Sequence, residues 1–211
     1  MMFAPALRRF TLTTHVTSSV GWVGAVLVFL ALAAIGLSSG DEHTVRGAYL
    51  VMAPAAWFVL VPLAHASLFS GIALSLGTPW GLIRHYWVVL KLIITVFSTV
   101  ILMIYMGTFR QMAGVAADPV VELGFVRNPS PLVHSILALI LLIAASVLGI
   151  YKPFGMTPYG RRTPGASLGG VPSARQMAAT SWWPYVFSIL VIALIALFVI
   201  LHLTGAIPAG H

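Results

Sequence analysis

Five apolar runs, each long enough to cross a lipid bilayer, constrain this chain more than anything else in it. They lie at about residues 11–37, 48–76, 85–107, 131–151 and 184–204. Some 20 apolar residues suffice to span the hydrocarbon. Lipid offers no partner to a free backbone N–H or C=O, so each run is expected as an α-helix. The breaks between them, SSGDEH, GTPWG, ADPVVELGFVRNPSP and a Gly/Pro-rich stretch from Lys152 to Arg175, are rich in turn formers. The fold expected is therefore all-α. Residues 1–211 form a single integral membrane domain with five transmembrane helices, four in an antiparallel bundle and one additional span beside it.

Charge supports the same picture. Only 7% of the 211 residues are charged and 60% are hydrophobic, whereas about a quarter of a soluble domain is charged. The net charge of +7 does not mark a nucleic-acid binder. The basic residues sit in short loops between apolar segments and make no stripe. Lys and Arg mark the cytoplasmic side of a membrane protein. With the N-terminus inside, Arg8, Arg9, Arg84, Lys91, Lys152, Arg161, Arg162 and Arg175 fall on the inner side. Only Arg46, Arg110 and Arg127 fall outside, together with all the acids, Asp41, Glu42, Asp118 and Glu122. The expected location is the bacterial cytoplasmic membrane, N-terminus in and C-terminus out. The basic cluster in MMFAPALRRF precedes an apolar run too long for a cleaved signal peptide, which reads as a retained signal anchor. Trp80 and Trp87, with Trp182, Trp183 and Tyr185, suit an aromatic belt at the inner interface. The chain has no cysteine, which excludes disulfides, iron–sulfur clusters, thiolate metal sites and covalently attached haem.

No Asp or Glu lies inside a span, which weighs against a classical ion-coupled carrier. The polar residues that do lie inside are functional candidates, because each is costly to bury in lipid. Sorting them by depth gives an inner cluster. His15 is about one turn into the first span and His65 sits roughly 10 Å above the inner end of the second. His85 opens the third span, and Lys91 follows six residues later at the depth of His65. An outer group holds His134 and His202, with Met52, Met103 and Met106 at the same level. His43 and His211 are expected in solvent. His15, Ser18, Ser19 and Trp22 share one helix face by their spacing, with Gly21 and Gly24 beside Trp22. In the second span Pro62 precedes His65, and Ala64, Ala66, Ser67, Ser70 and Gly71 surround it. Two small-residue helices can approach closely. If they face each other, they leave a slot in which His15 and His65 grip a porphyrin as axial ligands, with His85 in reserve. Lys91 or Arg84 would pair with its propionates.

His15 followed by Trp22 and Gly24 resembles the H-x6-W-x-G/A pattern of the first helix in the bacterial membrane protoporphyrinogen IX oxidase family. HYWVVLKLIITV, residues 85–96, resembles the third helix of that family, where a lysine is functional. Related patterns occur in the copper-resistance D membrane family and in uncharacterised bacterial membrane proteins. The chain as a whole is most similar to that last group, through HVTSSVGWVGAV, GTPWGLIRHYWVVLK and YKPFGMTPYG. The resemblance covers about residues 8–110. It implies that His15 ligates haem and that Lys91 is the functional lysine. The arginine-bearing segment that follows the family's first helix has no counterpart between Val26 and Leu37, so haem binding carries over better than the oxidase reaction.

The function expected first is therefore that of an integral membrane b-type haem-binding protein with a redox or electron-transfer role. One haem would sit on His15 and His65. A second on His134 and His202 would let electrons cross the bilayer. An alternative is a copper- or metal-handling membrane transporter, since thioether and imidazole suit Cu(I). Another is a non-catalytic scaffold subunit whose polar residues join helices. The expected partners are the lipid bilayer, a redox partner or porphyrin, and a second copy in a homo-oligomer.

Overall fold

The computed structural model describes residues 3–152 and 155–162, plus the isolated positions 189, 192, 193, 195 and 196. At 161 and 162 it describes the backbone alone. Apart from those isolated positions the fifth expected span, about 184–204, lies outside the described residues. His202, His211, Trp182, Trp183 and Tyr185 lie outside them too.

Among the described residues the chain is all-helical. Helix α1 runs Pro5–Ser38. Helix α2, Glu42–Ala55, passes through a π-helical turn, Ala56–Leu60, into α3, Val61–Leu76. Helix α4 is Tyr86–Ala117. A short α5, Leu123–Val126, precedes α6, Ser130–Tyr151, and α7 is the turn Pro158–Arg162. Four of these stretches are long and apolar enough to cross a membrane: α1, the continuous Glu42–Leu76, α4, and Leu123–Tyr151. They coincide with the first four expected spans, with α1 and α4 longer than their apolar cores.

The four stretches pack as an antiparallel bundle. Helix α1 lies against α2, α3 and α6, α4 lies against the same helices, and α1 and α4 sit on the diagonal. The bundle centre holds Trp22, Val26, Phe29 and Ala33 of α1, with Tyr49, Met52, Ala56, Leu60 and Ala64 of the second span. Tyr105, Met106 and Phe109 of α4 complete it. Large side chains that point away from it, such as Phe10, Phe58, Phe69, Ile104 and Ile150, are exposed, as a lipid-facing surface requires. Lipid tails are as apolar as these side chains, so the helices hold together by close packing and hydrogen bonds rather than by hydrophobic burial. Gly36 shows the packing: a Cβ there would meet the Tyr49 ring at 2.9 Å.

The π-helical turn sets which residues of α3 face inward. Pro62 has no N–H to give its helix, and the residue just before it, Val61, reaches its N–H back to Ala56 O. The wider turn carries the buried face through Met52, Ala56, Leu60 and Ala64 at four-residue steps.

The two ends of the bundle differ. At one end, where all the acids lie, Arg46 and Arg127 cap helices. Arg127 donates to the carbonyls of Leu37 and Ser39 at the C-terminus of α1. Arg46 donates to Asp118 O at 2.8 Å, Val121 O at 2.6 Å and Ala116 O at 3.3 Å, where α4 stops, and is also paired with Glu42. Both helices point their C-terminal carbonyls and negative dipole ends this way, so a cation belongs there. Tyr49 donates to Asn128 O at 3.0 Å and accepts from Asn128 N–H at 2.9 Å, which ties the loop after α5 to the second span. The opposite end carries Arg8, Lys91 and Lys152 around a cavity.

Candidate functional site

His15 lies on the face of α1 that packs against α3, and it is buried. Its Nδ1 is 3.0 Å from Ser67 O and 3.2 Å from Ser70 Oγ. A carbonyl can only accept, and the Ser70 hydroxyl already donates to Ala66 O. Nδ1 therefore carries the proton, and Nε2 keeps its lone pair. Lys91 Nζ, 3.3 Å away, donates to that lone pair. Gly71 makes the arrangement possible. A Cβ at that position would stand 2.9 Å from His15 Cε1, so a larger residue would push the ring off its partners. One turn further on, Ser19 and Ser67 hydroxyls meet at 2.8 Å.

His15 and Lys91 open onto a cavity of about 460 Å³ between α1, α3, α4 and α6. Small-molecule sites run about 300–1,000 Å³. Arg8, Lys91 and Lys152 lie on its wall, and among the described residues no carboxylate does. Its remaining lining is hydroxyl (Ser19, Ser67, Ser75, Thr78, Thr95, Ser146), aromatic rings and hydrocarbon. Trp80 and Trp87 stand at its rim, their rings 5.5 Å apart edge to face. Lys152 Nζ sits 4.8 Å over the Trp80 ring. Lys152 is also the left-handed residue that ends α6, with φ +45°. The site thus joins an imidazole lone pair, a cationic mouth and apolar walls, which suits a flat amphipathic anion.

Of the four residues expected at this end, the structure brings together His15 and Lys91 alone. The expected pairing of His15 with His65 is corrected. His65 adjoins Ala64, the fully buried position of α3, and one residue turns a helix by about 100°. Its Nδ1 donates to Val61 O of its own helix at 2.8 Å, and its ring lies 5.9 Å from that of Phe69, which is 62% exposed. The slot expected between the first two spans is also closed, by Gly71 against His15 and by Ser19 against Ser67. His85 is spent on the loop before α4, its Nδ1 2.7 Å from Trp80 O and its backbone paired with Met156. Arg84 is outside the cavity lining. Its carbonyl accepts from Thr157 N–H at 2.8 Å. Trp22, two turns above His15, lines a separate chamber.

At the acidic end His134 Nδ1 donates to Ser130 O at 2.8 Å, and its ring stacks on Tyr105 at 4.0 Å. Met52 and Met106 are buried in the shared core, whereas Met103 is 40% exposed. The three thioethers expected around His134 therefore do not share one surface. No group of three or more His, Cys, Asp or Glu residues arranged for a metal ion occurs among the described residues. Sequence reasoning missed Arg8 and Lys152 as cavity residues and Ser67 and Ser70 as the anchors of His15. Serines among glycines and alanines on α3 were the available signal. No protein-family model matches the chain, and no curated protein or solved structure matches it either.

Proposed function

We propose that the chain is a cytoplasmic-membrane protein that binds b-type haem in the basic-end cavity, in a redox or electron-transfer role. The observation that carries it is the His15 imidazole. Nδ1–H is tied to a backbone carbonyl, Nε2 accepts from Lys91, and both residues line a cavity of about 460 Å³. A carbonyl on the far nitrogen is the usual second partner of an iron- or zinc-ligating histidine, because it fixes the tautomer and raises basicity. The residues present fit a tetrapyrrole with one protein imidazole, not the bis-imidazole site expected from His15 and His65. Arg8 and Lys152 at the mouth match carboxylates. A ligand that takes the Nε2 lone pair must displace the Lys91 ammonium, which is then free to pair with an anionic group. Bound haem would supply one-electron chemistry, its potential set by the axial nitrogen and the low-dielectric wall. The basic end would face the cytoplasm by the positive-inside rule.

Expression with haem supplementation, purification in detergent and a visible spectrum in both redox states test this. The expected result is a Soret band with sharpened bands on reduction. A protein that folds but shows no Soret band contradicts it.

A further inference from the structure

The basic-end cavity is walled unevenly. On α3 and α4 none of its lining residues is exposed, and Ser67, Val88 and Thr95 are buried. On α1 and α6 the wall thins to an edge. Leu12, Val16 and Val20 of α1 and Ile150 of α6 line the same cavity, yet they are 45%, 51%, 66% and 74% exposed. A side chain that both lines a cavity and faces outward marks its opening. Arg8, Leu12, Val16 and Val20 recur at four-residue steps and so form one stripe along α1, its three apolar members spanning about 12 Å. Ser146, also exposed, and Gly149 continue the facing edge on α6. A Cβ at Gly149 would stand 3.2 Å from Lys91 Nζ, so the ammonium lies just behind that edge. Ile195, from the fifth apolar run, packs on another side of α6, against the cluster that holds Leu141, Ala144 and Leu148.

The water side of the cavity is crossed by the loop of residues 77–85. Phe3 N–H donates to Gly77 O at 3.1 Å, and the Phe3 ring packs on that glycine. His85 Nδ1 donates to Trp80 O at 2.7 Å, and the Thr157 hydroxyl donates to Ile83 O at 2.7 Å. The Trp80 ring is held by Trp87 and Lys152. The loop is therefore fastened along its length, whereas the gap between α1 and α6 is edged by side chains that suit acyl chains.

We propose that the cavity is loaded sideways from the bilayer, through the gap between α1 and α6, and that its ligand is an amphipathic anion already dissolved in the leaflet at the basic end. The gap has the polarity of such a molecule lying in a leaflet. Arg8 and Lys152 stand at the headgroup level, and Leu12, Val16 and Val20 run from there toward the hydrocarbon. A carboxylate or phosphate stays at that level, paired with the two cations. The apolar body slides between the two edges and crosses no water. The inference rests on the reading of this cavity as the ligand site and adds the route by which the ligand arrives. Haem, planar and with its carboxylates along one edge, is one molecule of this class.

The chain has no cysteine, so Thr95→Cys, inside the cavity, gives it a single thiol. The test places the full chain in phosphatidylcholine nanodiscs and adds either N-dodecylmaleimide, which stays in lipid, or a sulfonated maleimide, which stays in water. The expected result is modification at least tenfold faster by the lipid reagent. Val16→Trp with Ile150→Trp crowds the gap from exposed positions. The pair is expected to slow the lipid reagent at least fivefold at unchanged melting temperature, and to leave its rate unchanged at Ile104→Cys on the lipid-facing surface. Equal or faster modification by the water-soluble reagent overturns the proposal, as does a lipid-reagent rate that the two tryptophans leave unmoved. The Soret spectrum judges haem separately: a chain that lacks the band but is labelled from lipid keeps the side entrance and loses haem as its occupant.

Discussion

The two ends of the bundle use the same kinds of side chain for opposite purposes. At the acidic end Arg46 and Arg127 are used up on carbonyls where α4 and α1 stop, and Tyr49 closes both of its bonds on Asn128. At the basic end Arg8, Lys91 and Lys152 stand around a cavity with no carboxylate among the described residues that line it, Lys91 on the His15 lone pair and Lys152 over the Trp80 ring. A cation bonded to three carbonyls stabilises a fold. Cations crowded round an open space repel one another and are relieved by an anion. Two helices end at each side, and the difference lies in what the cations there reach. α1 and α4 end at the acidic side, where Arg127 and Arg46 reach their last carbonyls, whereas α3 and α6 end at the basic side with Lys152 as the α6 C-cap and its ammonium over Trp80.

The sharpest way to break the comparison is Arg127→Ala. It removes a charged donor from two α1 carbonyls and is expected to lower stability by about 2–3 kcal/mol. Thermal unfolding in detergent measures it. Haem affinity of the folded fraction should stay unchanged, and a loss of affinity equal to that of a cavity variant would erase the distinction between the ends. Next is Gly71→Val. Its Cβ would crowd His15 Cε1 at a cost of about 1–3 kcal/mol, read as a weakening of ligand affinity of roughly tenfold or more. Gly24→Ala, where a Cβ meets nothing within 4 Å, is the matched control and should change neither affinity nor stability.

Lys152→Gly separates charge from backbone. Glycine relieves a left-handed conformation worth about 1 kcal/mol, and loss of the ammonium over Trp80 forfeits about as much. The melting temperature should hold while affinity for an anionic ligand falls several-fold. The smallest effect belongs to Asp41, the exposed N-cap of α2. Bonds from the Thr44 hydroxyl and N–H hold its carboxyl below the usual carboxylate range. The folded state therefore binds the proton less tightly than the unfolded chain does. The cap's contribution is complete above the unfolded pKa of about 3.9 and is lost as pH falls through the lower folded value. A small drop in melting temperature on acidification, absent in Asp41→Ala, would show it.

The first four spans and the sorting of charge to two ends were legible in the sequence, because both follow from lipid physics acting on runs of residues. Depth was legible as well: His15 and Lys91 meet, as counting along helices allows. Rotation about the helix axis was not. His65 and Ser67 differ by two residues, yet Ser67 holds the His15 ring and His65 turns toward the exposed Phe69. The π-helical turn decides this. One added residue rotates everything after it by about 100°, and nothing in AWFVLVP besides the proline hints at it. The roles of Arg46 and Arg127 were hidden for a related reason. Their acceptors lie about 70 to 90 residues away in sequence.

His15→Ala and His65→Ala, expressed side by side with haem and compared by Soret absorbance per mole of folded protein, put the account to its most direct trial. The structure predicts that the first loses the band and the second keeps it at the level of the unaltered chain. A band that survives in His15→Ala and vanishes in His65→Ala would contradict the assignment of the basic-end cavity as the binding site.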